Sequence, residues 1–190
     1  MKIIKLAAFI WLLAAPVLRA EPLVVGYSSV TSVFLPFWIG KEAGFYKKEG
    51  LDTELVYIPS STTMAQAMFA KQVAISTVNS GSVVTSGQQG GDLVLMGAVI
   101  NSAAFYIMAR PEIASAGDLK GKRVGVTRLG SSSDFAVREY LQKSKLQPGR
   151  DVNIIQVGGM PELAAALNSG SISAAPLSAP ASYIAEQKGN

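Results

Sequence analysis

From residue 23 onward the chain keeps returning to one unit: a short β-rich run, a turn of small hydroxyl residues, then a helical stretch. Leu23–Tyr27 (LVVGY) reads as a buried strand and ends at Ser28-Ser29. Pro36 opens a predicted helix carrying Phe37, Trp38, Ala43 and Phe45, and Gly50 closes it, which is the usual placing of proline and glycine at helix ends. Residues 51–58 form a second expected strand. Ser60, Ser61 and Thr62 then cap a helix that turns Met64, Ala67 and Met68 inward, with Phe69 at the margin. Residues 73–77, 93–99 and 103–109 are further expected strands, with a helical stretch after Asn79-Ser80-Gly81. Strands that alternate with helices imply right-handed parallel β-α units packed in layers.

Near residue 110 the rhythm breaks at Arg110-Pro111 and a turn-rich segment, then restarts. Strands are expected over 124–127, 152–157 and 172–176, and helices over 132–144, over 161–168 and after Pro180. Two β-α blocks joined by extended segments predict two lobes with a cleft between them. The division expected is 21–104 for the first lobe and 105–190 for a crossover and a second lobe. That second block holds three strands by this reading and stops without a closing one, so it is expected to be incomplete. Ligands of open α/β sheets sit beyond the carboxyl ends of the strands, which places the site in the cleft.

The first twenty residues stand apart. Lys2 and Lys5 precede an apolar run from 6 to 18, followed by Arg19-Ala20-Glu21. A charged start, a short greasy stretch and a small residue at the cut make a secretory signal peptide over 1–20. The run is too short for the roughly 20 apolar residues that a membrane-spanning helix needs. Lys2, Lys5 and Arg19 also supply most of the formal net charge of +4, leaving an excess of one in the mature part. With no basic cluster left, nucleic acid is a poor partner.

The chain contains no histidine and no cysteine. That excludes a His-containing catalytic triad, a histidine proton shuttle, a His/Cys zinc site, any disulfide and a lipidated cysteine anchor. No nucleophile elbow, P-loop or other coherent catalytic pattern replaces them.

What recurs instead is a hydroxyl-bearing turn at the end of successive strands. Ser28 and Ser29 follow the first, Ser60 and Ser61 the second, and Asn79 and Ser80 the third. In the second block the corresponding residues are Ser131, Ser132 and Ser133, and then Ser178. Any one of these is an ordinary helix cap, and Ser131 with Asp134 fits a capping box. A row of them along one rim of two sheets points to a binding site, because helix N-termini offer free N–H groups and a positive dipole end to an acceptor. Phe34, which precedes its helix, is placed to cover a ring or alkyl chain. Arg128 is the one cation near an expected pocket loop and is a candidate partner for an anionic group.

Several stretches together carry a family resemblance: FWIGKEAGFYKKEGLDTELV, AISTVNSGSVV, DLKGKRVGVTRLGSSSD and GGMPELAAALNSGSISAAPLSAP. They resemble the periplasmic substrate-binding proteins of ABC transporters for nitrate, sulfonates, taurine and thiamine-pyrimidine precursors, over nearly all of 23–190. The resemblance implies a type II periplasmic-binding-protein fold, with two α/β lobes, a hinge and a central cleft, here truncated in the second lobe. It implies a small polar or anionic ligand, an ABC permease and ATPase as partners, a periplasmic location and no cofactor. The family's contacts fall on Ser28, Ser29, Ser60, Ser61, Asn79, Ser80, Ser131 to Ser133 and the region of Ser178. A sensory or accessory binding module is the alternative. The thiamine-pyrimidine synthases of the same fold group depend on histidine and cysteine, which this chain lacks.

Overall fold

A computed structural model describes residues 21–102 and 104–189. The expected leader, residues 1–20, lies outside the described residues. Among the described residues, no helix is long and apolar enough to cross a membrane.

The first lobe is built on a parallel sheet of three strands, β1 (Leu23–Tyr27), β2 (Thr53–Tyr57) and β3 (Ile75–Ser76), in the order β2-β1-β3. Helix α1 (Leu35–Glu42) and the single turn α2 (Phe45–Lys48) connect β1 to β2. One continuous helix was expected here. The break falls at Gly44, whose φ of 71° leaves the helical region at little cost for a residue without a Cβ. Helix α3 (Ser61–Phe69) connects β2 to β3, and α4 (Ser80–Gln88) follows. The core of this lobe is small, with Met64, Ala67 and Val73 buried against Val24, Ile58 and Val78. As the helical period predicts, Met64 and Ala67 face inward, whereas Phe69 is 40% exposed.

The second lobe has four strands rather than three. They are β4 (Tyr106–Ala109), β5 (Arg123–Val126), β6 (Asn153–Gln156) and β7 (Ala174–Leu177), in the order β4-β7-β5-β6. Strand β4, read from sequence as the end of the first block, runs antiparallel to β7, with Tyr106 opposite Leu177 and Ala109 opposite Ala174. Helices α5 (Ser132–Lys143), α6 (Met160–Ser169) and α7 (Ala181–Gln187) cover this sheet. Both faces of β5 are buried, as a central parallel strand requires. Val124 and Val126 pack with Val137 and Leu141 of α5 on one side. On the other side Gly125 leaves room for α6, since a Cβ there would come within 2.6 Å of Ile172 Cδ1 and 2.9 Å of Leu163 Cδ2.

One expected strand is absent. Residues 93–99 adopt no regular structure, and Val94 and Met96 are 78% and 75% exposed. The alternation of apolar residues suits a strand, but no partner strand lies beside the segment among the described residues. Without a ladder, β propensity alone does not hold a strand.

Candidate functional site

The carboxyl ends of both sheets face one crevice of about 1170 Å³. Ser28, Ser29, Phe34, Ser60, Ser61, Asn79, Ser80, Ser132, Ser133 and Ser178 all line it. Each sits where a strand ends or the next helix begins, because a parallel β-α unit turns its chain at that rim.

Two helix starts meet across this crevice. Ser61 opens α3 in the first lobe and Ser132 opens α5 in the second. The Ser132 backbone N–H donates to Ser61 Oγ at 3.0 Å, and Asn79 Nδ2 donates to the same oxygen at 3.1 Å. Thr62 Oγ1 donates to the Leu129 carbonyl at 3.4 Å, a second bond between lobes. A single serine oxygen thus takes the place of an acceptor between two helix N-termini and an asparagine amide. Ser60, just before it, caps α3 by accepting from Thr62 N at 3.3 Å. Its φ of 75° lies in the region that non-glycine residues avoid, so the turn is strained at the rim of the site.

Three hydroxyls lining the crevice are buried and have no hydrogen-bond partner among the described residues: Ser29 Oγ, Thr77 Oγ1 and Ser178 Oγ. Ser178 is only 5% exposed. A buried hydroxyl without a partner costs about 1–3 kcal/mol, so such groups are expected where something else completes them.

Two expected site residues are elsewhere. Arg128 is exposed and does not line the crevice, because the turn after β5 carries its side chain outward. Ser131 is fully buried beneath the rim, where its hydroxyl lies 3.0 Å from Thr127 Oγ1 and 2.8 Å from Ser133 Oγ. It accepts from Asp134 N at 3.4 Å, while Asp134 accepts from Gly130 N at 2.8 Å and from Arg138 Nε at 2.9 Å. This is the capping arrangement the spacing suggested, with the return bond one residue earlier. Ser131 builds the turn, and Ser132 presents it.

Aromatic side chains form the other wall. Phe37, Phe105 and Phe135 line the crevice together with Phe34. Phe135 stands in the first turn of α5, a position that a helical pattern marks only as surface. Tyr57, at the end of β2, approaches Gly159 and Glu162 of the second lobe. Burial raises its hydroxyl pKa above the usual value, and the Glu162 carboxylate and Tyr27 push in the same direction. Among the described residues, no group of acidic, histidine or cysteine side chains could hold a metal ion.

Comparison with known proteins follows the same lines. The riboflavin-binding protein RibY of Chloroflexus aurantiacus is 23% identical over 154 residues, which are 76% of this chain and 44% of RibY. The periplasmic aliphatic sulphonate binding protein SsuA of Escherichia coli superposes with a TM-score of 0.66 at 20% identity, covering 90% of this chain and 55% of SsuA. The periplasmic nitrate-binding protein NrtA of Synechocystis PCC 6803 gives 0.61 at 20% identity, covering 89% and 50%. The chain spans less than half the length of the curated relatives it matches. These neighbours are binding proteins, and their fold is the two-lobed type II periplasmic-binding-protein fold. The profile described as NMT1/THI5 like matches residues 31–189, and the chain therefore belongs to that family.

Proposed function

We propose that this chain is the solute-binding part of an exported component of an ABC uptake system, holding a small polar or anionic organic solute between its lobes in the periplasm. Delivery is then to a membrane permease driven by an ATPase. The observation that carries the reading is the set of unpartnered hydroxyls at Ser29, Thr77 and Ser178 along a crevice where two helix N-termini converge. A guest with acceptor oxygens completes those hydrogen bonds from both lobes at once. Only the closed form makes all of them, so binding shifts the open–closed equilibrium toward closure.

The sites proposed for contact are Ser28, Ser29, Ser60, Ser61, Asn79, Ser80, Ser132, Ser133 and Ser178, with Phe34 on the apolar side. Thr77 joins them on its unpartnered hydroxyl. A thermal-shift screen of the full chain over sulfonates, nitrate, carboxylates, pyrimidines, riboflavin and aromatic acids tests this. A solute at a hundred times its dissociation constant adds about 2.7 kcal/mol of stability. Ser178→Ala should lower affinity for any hit at least tenfold while leaving the unliganded melting temperature unchanged or higher, since it deletes a buried hydroxyl that has no partner. Equal affinity in the variant removes Ser178 from the site, and no stabilisation by any solute removes the binding reading.

A further inference from the structure

Resting on that reading, we infer that the solute is a flat aromatic molecule with one acceptor head, such as an aromatic monocarboxylate. The polar and the aromatic groups that line the crevice each bear on this.

Among the described residues, no cation stands beside the polar groups. These groups are hydroxyls, the Asn79 amide and the backbone N–H of Ser132. Arg128 is turned away. Lys71 lines the crevice but lies past the far end of α3, ten residues from Ser61 and hence roughly 15 Å along the axis. Asp92 and Glu139 also line the crevice, and Glu139 is paired with Lys143 at 2.7 Å. Helix starts and hydroxyls suit a neutral or singly charged acceptor. A dianion would be desolvated among those hydroxyls without a counter-ion beside it.

Part of the apolar lining is aromatic and, in the first lobe, braced from behind, beside aliphatic residues such as Val94, Met96 and Ile100. Phe34 and Phe37 line the crevice with ring centroids 6.1 Å apart and planes tilted by 32°. Tyr27 backs Phe34 at 6.2 Å, and is itself met edge-on by Trp38 at 5.4 Å and by the tilted ring of Tyr57 at 5.5 Å. These separations fall in the favourable range for offset and edge-to-face rings. From the other lobe and the crossover, Phe135 and Phe105 line the same crevice. Phe135 is 51% exposed although it lies against the first-lobe helix start, where a Cβ on Gly81 would be 3.3 Å from its ring. Phe34 and Phe37, already braced in the first lobe, with further rings offered from the second lobe and the crossover, favour a thin, planar guest over a flexible chain, because little ordering is left to the first-lobe wall on binding.

The test is titration calorimetry of the full chain with benzoate, cyclohexanecarboxylate, butanesulfonate and nitrate. Benzoate and cyclohexanecarboxylate share the head and nearly the size, and differ in flatness. Benzoate should bind at least tenfold more tightly than cyclohexanecarboxylate, and Phe135→Leu should weaken benzoate at least fivefold while changing cyclohexanecarboxylate less than twofold. Phe135 is half exposed, so this substitution leaves the core intact, and Phe37→Leu serves as the second variant. Equal or tighter binding of cyclohexanecarboxylate overturns the aromatic inference and leaves the binding reading standing. Binding of butanesulfonate or nitrate alone does the same. Silence toward all four overturns it as well, and the broader solute screen then decides the binding reading by itself.

Discussion

Replacing Ser61 with alanine should open the molecule by a predictable amount. Ser61 is 3% exposed, and its oxygen receives one bond from Ser132 of the other lobe and one from Asn79 of its own. The bond to Ser132 exists only when the lobes are together. On opening, that N–H finds water, so its loss weakens the closed form alone, by the net worth of one hydrogen bond, about 1 kcal/mol. The closed-to-open ratio should therefore fall about fivefold, since 1.4 kcal/mol is a factor of ten. The bond to Asn79 is internal to the first lobe and should appear in the melting temperature instead. Because the chain has no cysteine, two introduced at exposed Lys47 and Gln142 become the sole sites for spin labels. Electron–electron distance measurement should then show a growing long-distance population in Ser61→Ala, while Ser61→Thr, which keeps the hydroxyl, stays close to the parent. A distance distribution unchanged by Ser61→Ala would refute the claim that this oxygen joins the lobes.

Other outcomes follow from features away from that bond. Ser60→Gly should raise stability by about 1 kcal/mol, because relief of the positive φ exceeds the few tenths lost with the cap; a lower denaturation midpoint refutes this. Gly125→Ala should cost about 1–3 kcal/mol, as its methyl meets Ile172 and Leu163 where α6 packs on β5; a neutral result in urea unfolding counts against that packing. Asp118, held low by the Ser115 hydroxyl and N–H, and Asp151, held low first by Gln147 N–H, favour the folded state when ionised. Their contribution is complete above the ordinary carboxylate range and disappears as pH falls through it and below. Asp118→Asn should accordingly flatten the acid limb of a stability-against-pH curve.

Much of the architecture is legible in the sequence because it is local. Leu23–Tyr27 is a strand by its own composition, and the start of α5 at Ser132 follows from the Ser131 and Asp134 capping pattern. What failed depends on partners distant in the chain. Residues 93–99 have the composition of a strand and no neighbour to pair with, whereas Tyr106–Ala109 joins the second sheet only because β7, some seventy residues on, accepts it. The hydroxyl turns were found because sequence places them at strand ends, but their roles diverge. Ser131 and Ser132 are adjacent, and only the helix's rotation decides that one is buried and the other meets Ser61. Arg128 and Phe135 show the same limit, since the direction in which a side chain leaves a turn is set by the packed lobe.

The meeting of α3 and α5 at their first residues has an electrostatic consequence. Each helix start carries roughly half a positive charge, so two brought together repel. The junction carries its own spring, and the Ser61 oxygen is a weak counterweight to it. On the proposed binding reading, a guest that brings stronger negative character into the gap turns repulsion into a shared attraction, which makes shutting the lobes and recognising the solute one event.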